Sequence, residues 1–353
     1  MILRVGLLIS SVLLLLLALD AGLARLGVVL FLPALGAWHG PLMVAAFFGA
    51  LIALERAVGL GAGWTYLAPG LMALGGLVLA LGGVQAGMAL LLLGALVYVA
   101  VAGYIYRLQP ADFTAAMGLG AVLLFFGDLA WVLGRPFWAA LLWAGYLVFI
   151  VAGERLELSR FVPKPPVAGR QFAAAALVAL LGLLLYPLAP RAFAAVVGLG
   201  FALLALWLLR YDVAWVNLRR GGVHRFMGLS LLLGYVWLFL GGLGLILWGL
   251  PPGGPVFDAV MHAVYVGFVF SMVFGHAPVI FPAVLRLPLR FHAAAYGPLW
   301  LLHLALIVRV VGDLAGLLAW RQWGGGLNAL AIVLYFLVTA VVSLGGGLRG
   351  ARE

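Results

Sequence analysis

The sequence contains no cysteine. This absence excludes disulfides, iron–sulfur clusters, covalent c-type haem attachment and every metal site that depends on thiolates. Any metal ion or haem bound by the chain must therefore use histidine, methionine, tyrosine or carboxylate ligands. The eight methionines are scattered along the chain and form no paired copper-binding motif.

Charged residues are also scarce. They make up 8% of the 353 residues, whereas soluble domains carry about 25%. Hydrophobic residues make up 67% of the chain, and the mean hydropathy is +1.25. No polar stretch is long enough to form a large soluble domain. These features predict an all-α fold, a polytopic helical bundle embedded in the lipid bilayer.

The apolar residues fall into twelve segments that approach the roughly 20 residues needed to cross a bilayer. The segments are residues 5–24, 40–54, 66–83, 86–105, 113–133, 137–153, 171–189, 192–210, 226–250, 256–281, 292–312 and 326–346. The second is short unless the preceding "VVLFLPALGAW" also enters the membrane. The first resembles a signal peptide but has no clear A-x-A cleavage site, which predicts a retained membrane helix.

Lysine is nearly absent, with one lysine beside 19 arginines. The arginines lie in short loops, which indicates membrane topology rather than a nucleic-acid partner. If the N-terminus and the even-numbered loops share one side, that side holds fifteen basic residues and the other side four. The fifteen are Arg4, Arg56, Arg107, Arg155, Arg160, Lys164, Arg170, Arg210, Arg219, Arg220, Arg225, Arg286, Arg290, Arg349 and Arg352. The positive-inside rule then predicts a multi-pass protein of the cytoplasmic (inner) membrane with both termini in the cytoplasm.

The longest loop, "ERLELSRFVPKPPVAGRQ", divides the chain near its middle. It predicts an N-terminal six-helix half at 1–153, a cytoplasmic connecting loop at 154–171 and a C-terminal six-helix half at 172–353. A weak repeat agrees with this division: "GDLAWVLGRPFW" begins at Gly127 and "GDLAGLLAWRQW" at Gly312. Because six is an even number, duplicated halves would be parallel repeats. A chance match in a biased composition is the alternative.

Histidines occur inside the predicted spans, although an ionisable group in hydrocarbon costs about 2.5–3.5 kcal/mol on insertion scales. The topology places His39 at the outer start of the second span and His262 in the outer third of the tenth. His276 lies toward the inner end of the tenth span, and His303 lies near the middle of the eleventh. The two others lie near the inner face: His224 and His292.

Helical geometry groups these histidines. His262 and His276 share a face, about 40° apart around the helix and about 21 Å apart along it. The tenth and eleventh spans are antiparallel and joined by a short loop, so we expect them to be neighbours. We therefore expect His262 to meet His303 in the outer half, with His39 joining them, and His276 to meet His292 near the inner face. Neutral imidazole is the usual protein ligand of haem iron and copper.

Other interpretations of the ionisable residues remain open. A histidine inside a span can be a hydrogen-bonded packing residue instead of a ligand. Arg309 is expected to pair with Asp313 one turn on or to hold haem propionates. Asp128 and Asp313 are expected to cap helix ends and pair with Arg135 and with Arg309 or Arg321. The Glu-Arg dipeptides at inner span ends are interpreted as interfacial ion pairs: Glu55-Arg56 and Glu154-Arg155.

Three stretches resemble the NnrS family: "WHGPLMVAAFFGALIAL", "HAVYVGFVFSMVFGHAPVIFPAVLRLPL" and "LLHLALIVRVVGDL". That family consists of twelve-span membrane proteins that contain haem and copper and are linked to nitric oxide metabolism. The resemblance implies matching positions at His39, His262, Gly275-His276 and Arg309. The expected cofactors are haem b and copper.

Three functions are compatible with these features. The first is a haem-binding membrane protein that binds or processes nitric oxide or a related redox ligand, a small diatomic molecule. Its candidate cofactor-binding residues are His262, His303, His276 and Arg309, and its candidate metal ligands are His39, His262, His276 and His303. The second is a secondary transporter with proton-coupled groups at Glu55, Glu154, His276 and Asp128. The third is an assembly protein of a respiratory complex, for which the sequence has no signature. Neither a catalytic residue nor a protein partner is predicted.

Overall fold

The computed structural model describes residues 2–28, 30–285 and 290–345. Within these residues the chain is helical and has no strand, and twelve helices are long and apolar enough to span a membrane. They are α1 Ile2–Arg25, α2 Pro33–Leu60, α3 Gly63–Ala80, α4 Val84–Leu108, α5 Asp112–Val132, α6 Pro136–Phe161, α7 Val167–Leu188, α8 Pro190–Tyr211, α9 Gly222–Trp248, α10 Gly254–Ile280, α11 Ala293–Leu314 and α12 Leu318–Val342. The predicted polytopic helical bundle is confirmed.

The helix ends follow the glycine and proline breaks of the sequence. At the end of α5, Gly134 adopts a φ of 72°, a conformation that only glycine adopts without strain. The amide of Arg135 donates to the carbonyl of Ala130 at 2.8 Å, and Pro136 then begins α6. Helices are required here because hydrocarbon offers no water to satisfy backbone amides and carbonyls.

Some observed boundaries differ from the predicted ones. Helix α2 begins at Pro33, so it includes the second part of the "VVLFLPALGAW" stretch. Helix α6 continues to Phe161 and α7 begins at Val167, so much of the segment predicted as a connecting loop is helical. Hydropathy ends a span at the first charged residues, whereas a helix continues as long as those residues find partners. The basic residues Arg286, Arg349 and Arg352 lie outside the described residues.

The chain forms two compact units, Met1–Glu154 and Arg155–Glu353. In the first unit, α1 packs against the first half of α2, and α4 packs against both α3 and α5. In the second unit, α8 packs against both α7 and α9, α9 packs against α10, and α11 packs against α12. A duplication of six-helix halves stays a prediction.

Several pairs of consecutive helices pack through glycines, among them α3–α4, α7–α8 and α11–α12. In each of these three pairs, each helix contributes a glycine whose hypothetical Cβ would collide with the other helix. These glycines are Gly75 and Gly94, Gly182 and Gly200, and Gly312 and Gly324. Small residues at such interfaces allow the backbones of membrane helices to approach closely.

Burial is greatest in every fourth helix. Over their most apolar stretches, α2, α6 and α10 are 67%, 78% and 67% buried, and these are the highest values among the twelve helices. Two of these three helices, α2 and α10, carry His39, His262 and His276. These three histidines therefore lie on the most buried helices, whereas His303 and Arg309 lie on α11, which is 44% buried.

The α7–α8 contact gives a test of glycine packing. In Gly200→Ala the new methyl group would collide with the backbone nitrogen and Cα of Ala179, which cannot rotate away. We expect a loss of about 1–3 kcal/mol of stability, as for overpacked cores, measured as a lower Tm in detergent. Gly169→Ala on α7 is the matched control, because nothing lies within 4 Å of its Cβ position. Equal Tm values for the two variants would contradict the close-packing argument.

Candidate functional site

His39 is held at the start of α2 by α1. Its Nδ1 lies 2.8 Å from the carbonyl oxygen of Ala18. A carbonyl oxygen only accepts hydrogen bonds, so Nδ1 carries the proton and Nε2 of the neutral ring carries the lone pair. The ring lies against Gly22, where a Cβ would come within 2.7 Å of the imidazole Cε1. Helix α1 thus both orients the ring and leaves room for it.

His262 is oriented in the same way on α10. Its Nδ1 lies 2.9 Å from the carbonyl oxygen of Asp258 and 3.2 Å from the Oδ1 of the same residue. Both atoms are acceptors, so Nδ1 again carries the proton and Nε2 the lone pair. A histidine that donates from Nδ1 to a carbonyl or carboxylate has the arrangement typical of metal-bound imidazole. The side chain of His262 is 14% exposed.

A π-helical segment follows each of these two histidines. The segment after His39 is Leu42–Phe48, and the segment after His262 is Ala263–Phe270. All residues of the first segment are buried, and all but Tyr265 of the second. Wide helical turns of this kind are often found at functional sites, where they alter the direction of side chains. Hydropathy contains no signal for them, and the sequence did not predict them.

An ion-pair network surrounds His262 in the second unit. Arg309 on α11 donates from Nε and Nη2 to the two carboxylate oxygens of Asp258, at 2.9 and 3.0 Å. Farther along α11, Asp313 pairs with Arg321 on α12. Arg309 thus pairs with Asp258 and not with Asp313 as the sequence predicted. The expected pairing of Asp313 with Arg321, one of two alternatives, is present.

Both ring nitrogens of His303 have hydrogen-bond partners within the second unit. The indole Nε1 of Trp237 donates to its Nδ1 at 2.9 Å, so Nδ1 carries the lone pair. Nε2 then carries the proton and lies 3.4 Å from the hydroxyl oxygen of Ser271. In this arrangement no lone pair remains for a metal. The expected meeting of His303 with His262 stays a prediction.

His276 lies beside a buried ion pair. Arg155 donates from Nε and Nη2 to the carboxylate of Asp212, both at 2.9 Å, and its Nη1 lies 3.4 Å from Nε2 of His276. The Nδ1 of His276 faces the carbonyl oxygen of Met272 at 2.7 Å. Nε2 of His276 thus faces a cation, which opposes binding of a metal ion there. The predicted partner His292 instead accepts from the amide of Ala294 at 3.1 Å.

An ion pair joins the two Glu-Arg dipeptides, since Arg56 of the first pairs with Glu154 of the second. Arg155 of the second dipeptide pairs with Asp212, which directly follows α8. In the loop after α6, partial burial lowers the pKa of Lys164, an effect opposed by the nearby Asp212 carboxylate.

Three important residues were missed by the sequence analysis: Asp258, Trp237 and Asp212. Asp258 had a detectable signal, because it precedes His262 by four residues and thus lies on the same helical face. Trp237 and Asp212 had none, because their partners are 66 and 57 residues away in the sequence. Among the described residues, no group of three or more His, Asp or Glu side chains could hold a metal ion.

Comparison with protein families gives one match. The family described as "Domain of unknown function (DUF8744)" matches residues 4–344, which include α2 to α12 and all but the first two residues of α1. The chain belongs to the DUF8744 family. No curated protein matches the chain. Membership in DUF8744 therefore gives the chain a family but no chemistry.

The buried Arg155–Asp212 pair of this DUF8744 protein gives a second test. The two side chains are 2% and 0% exposed, so Arg155→Met would leave a buried carboxylate without a cation. We expect a loss of about 3–5 kcal/mol of stability, measured as a lower Tm or failure to accumulate in the membrane. Arg160→Met is the control, because its pair with Glu157 is 51% and 35% exposed and contributes at most about 1 kcal/mol. A Tm of Arg155→Met equal to that of the control would refute the structural role.

Proposed function

We propose that the protein is a haem-binding integral membrane protein that binds or processes nitric oxide or a related small redox ligand. The observation that carries the proposal is the orientation of two histidines. In both His39 and His262, Nδ1 faces a backbone carbonyl, at 2.8 and 2.9 Å, so Nε2 is the nitrogen with the lone pair. The nitric oxide part of the proposal is supported by the resemblance to the NnrS family.

The described residues suit haem better than a bare metal ion. Haem brings four nitrogen ligands of its own, so the protein need supply only one or two axial imidazoles. A copper site built by the protein alone needs several converging side chains, and the described residues contain no group of three suitable ones. Copper stays a prediction from the sequence. We propose His39 and His262, each considered separately, as axial ligands, and leave His276 and His303 out.

Asp258 and Arg309 support His262 in this proposal. The carboxylate near Nδ1 increases the basicity of the imidazole and fixes its tautomer. Arg309 holds both carboxylate oxygens and thereby prevents the carboxylate from turning away from the ring. Arg309 thus acts as a positioning residue for His262 instead of binding propionates directly.

The apolar surroundings contribute a second property. Haem supplies an iron atom that can leave one coordination position for a diatomic gas. The segment Ala263–Phe270 directly after His262 is apolar, which excludes water from this part of α10. Nonpolar diatomic gases concentrate in hydrocarbon, so ligand would reach the site from the bilayer without a polar channel.

An absorption spectrum tests the proposal. Protein purified after expression with haem b available is expected to show a Soret band. His39→Ala and His262→Ala each remove an imidazole oriented for ligation, so each should lose or shift that band. His224→Ala near the start of α9 should leave the spectrum unchanged. A wild-type protein without bound haem would refute the proposal.

Gly22 gives a control that leaves all histidines in place. In Gly22→Ala, the new methyl group would lie 2.7 Å from Cε1 and 2.8 Å from Nδ1 of His39, so the ring must move. The spectrum should change in the same direction as in His39→Ala. Gly6→Ala on the same helix should have no effect, because nothing lies within 4 Å of its Cβ position.

The proposal also places the protein in the cytoplasmic membrane with both termini in the cytoplasm, from the arginine distribution. The absence of native cysteine makes labelling with an impermeant maleimide specific. Ala315→Cys, in the exposed turn between α11 and α12, should be labelled in intact spheroplasts. Gly221→Cys, exposed just before α9, should be labelled only after permeabilisation. The reverse pattern would show the opposite orientation.

A further inference from the structure

Asp128 is a buried carboxyl group in the first unit, on α5. It is 1% exposed. The indole Nε1 of Trp143 on α6 donates to its Oδ1 at 2.8 Å, whereas Oδ2 has no hydrogen-bond partner among the described residues. The sequence predicted a pairing with Arg135, which does not form. Among residues 2–28, 30–285 and 290–345, the side chain thus has one polar partner and no counter-ion.

The surrounding residues explain this isolation. A Cβ at Gly127 would collide with the indole of Trp143, so glycine allows this ring to lie against α5 and reach Asp128. The far side of the same ring lies near Gly40 of α2, where a Cβ would be 3.5 Å from the indole. Tyr146 on α6 is an ionisable group close enough to interact electrostatically with Asp128. Its hydroxyl donates to the carbonyl oxygen of Phe48 at 3.4 Å. On α4, no described charged residue pairs with Asp128.

The second "GDLA" sequence shows the contrasting case. Gly312 again allows close approach of the next helix, since a Cβ there would lie 2.7 Å from the backbone nitrogen of Arg321. The following residue, Asp313, pairs with the guanidinium group of Arg321. The same four residues therefore hold one carboxylate beside a cation and the other beside a neutral indole. Asp313 thus has a cation beside it, whereas Asp128 has none among the described residues.

A carboxylate in hydrocarbon without a cation is costly, and the cost disappears when the group is protonated. A metal cation would need several oxygen ligands, and the described residues offer no such group at Asp128. A proton needs only one oxygen. Oδ1 already accepts from the indole, so Oδ2 is the oxygen left to bind it.

We propose that Asp128 is a proton-binding site of the protein, a carboxylic acid that is neutral at pH 7 and exchanges its proton with water. The residue lies four positions before Val132, the last residue of α5, so it is about 6 Å from the helix end. To exchange with water, the proton therefore has to move along little more than one turn of α5. This site does not depend on haem, and it fits the alternative of a proton-coupled transporter equally well.

Infrared difference spectroscopy of the purified full-length protein tests this site. The wild type at pH 7 should show the carbonyl stretch of a protonated carboxylic acid, and Asp128→Asn should lack that band. In D2O the band should shift to lower frequency, because the bound proton exchanges. Asp112→Asn is the matched control, since it removes an exposed carboxyl group at the start of the same helix.

A second variant keeps the acid and removes its partner. Trp143→Phe takes away the hydrogen bond to the carbonyl oxygen Oδ1, so the band should remain and move to higher frequency. The proposal is overturned if the wild type lacks the band at pH 7, or if Asp128→Asn retains it. A band that is assigned to Asp128 but does not shift in D2O also overturns it, because the proton is then trapped. None of these outcomes depends on a Soret band.

Discussion

The pairing of buried ionisable groups is the constraint on which the other features of this protein depend. In the second unit, Arg155 forms an ion pair with Asp212 and Arg309 forms one with Asp258. Each pair is joined by two hydrogen bonds. An unpaired charge at either place would cost several kcal/mol, so each pair fixes the relative positions of the helices that carry it. Arg155 and Asp212 join the end of α6 to the end of α8, and Arg309 and Asp258 join α11 to α10.

The same requirement orients the histidines. An imidazole inside a membrane protein must place its N–H on an acceptor, and the nearest acceptors are backbone carbonyls. His39 and His262 meet this requirement through Nδ1, whereas His303 accepts through Nδ1 from Trp237. The choice of nitrogen has a chemical consequence, because it decides which edge of the ring carries the lone pair. In our proposal, the hydrogen bond that satisfies His39 or His262 therefore also prepares the ring as a ligand.

The two "GDLA" segments show how a small change of partner alters chemistry. In both, the glycine brings the next helix close, and the aspartate meets whatever residue that helix presents. Arginine keeps Asp313 in an ion pair, and tryptophan leaves Asp128 as a neutral acid in our proposal. The pattern of burial has a period of four helices instead of six, since α2, α6 and α10 are the most buried. A four-residue similarity therefore does not by itself establish a division into six-helix halves.

Hydropathy and glycine or proline breaks determined that the described part of the chain is helical, has twelve helices long and apolar enough to span a membrane, and carries histidines within those helices. These properties are local, because the free energy of placing a segment in hydrocarbon is approximately a sum over its own residues. Tertiary structure decided the partners of Arg155 and Arg309, which are 57 and 51 residues away. It also decided which ring nitrogen carries the proton in His39, which faces the carbonyl of Ala18, and in His303, which accepts from Trp237. It also decided the π-helical segments after His39 and His262, for which hydropathy has no signal. Partner choice depends on which distant side chains a helix meets when it packs, and no local sum of residue properties contains that information.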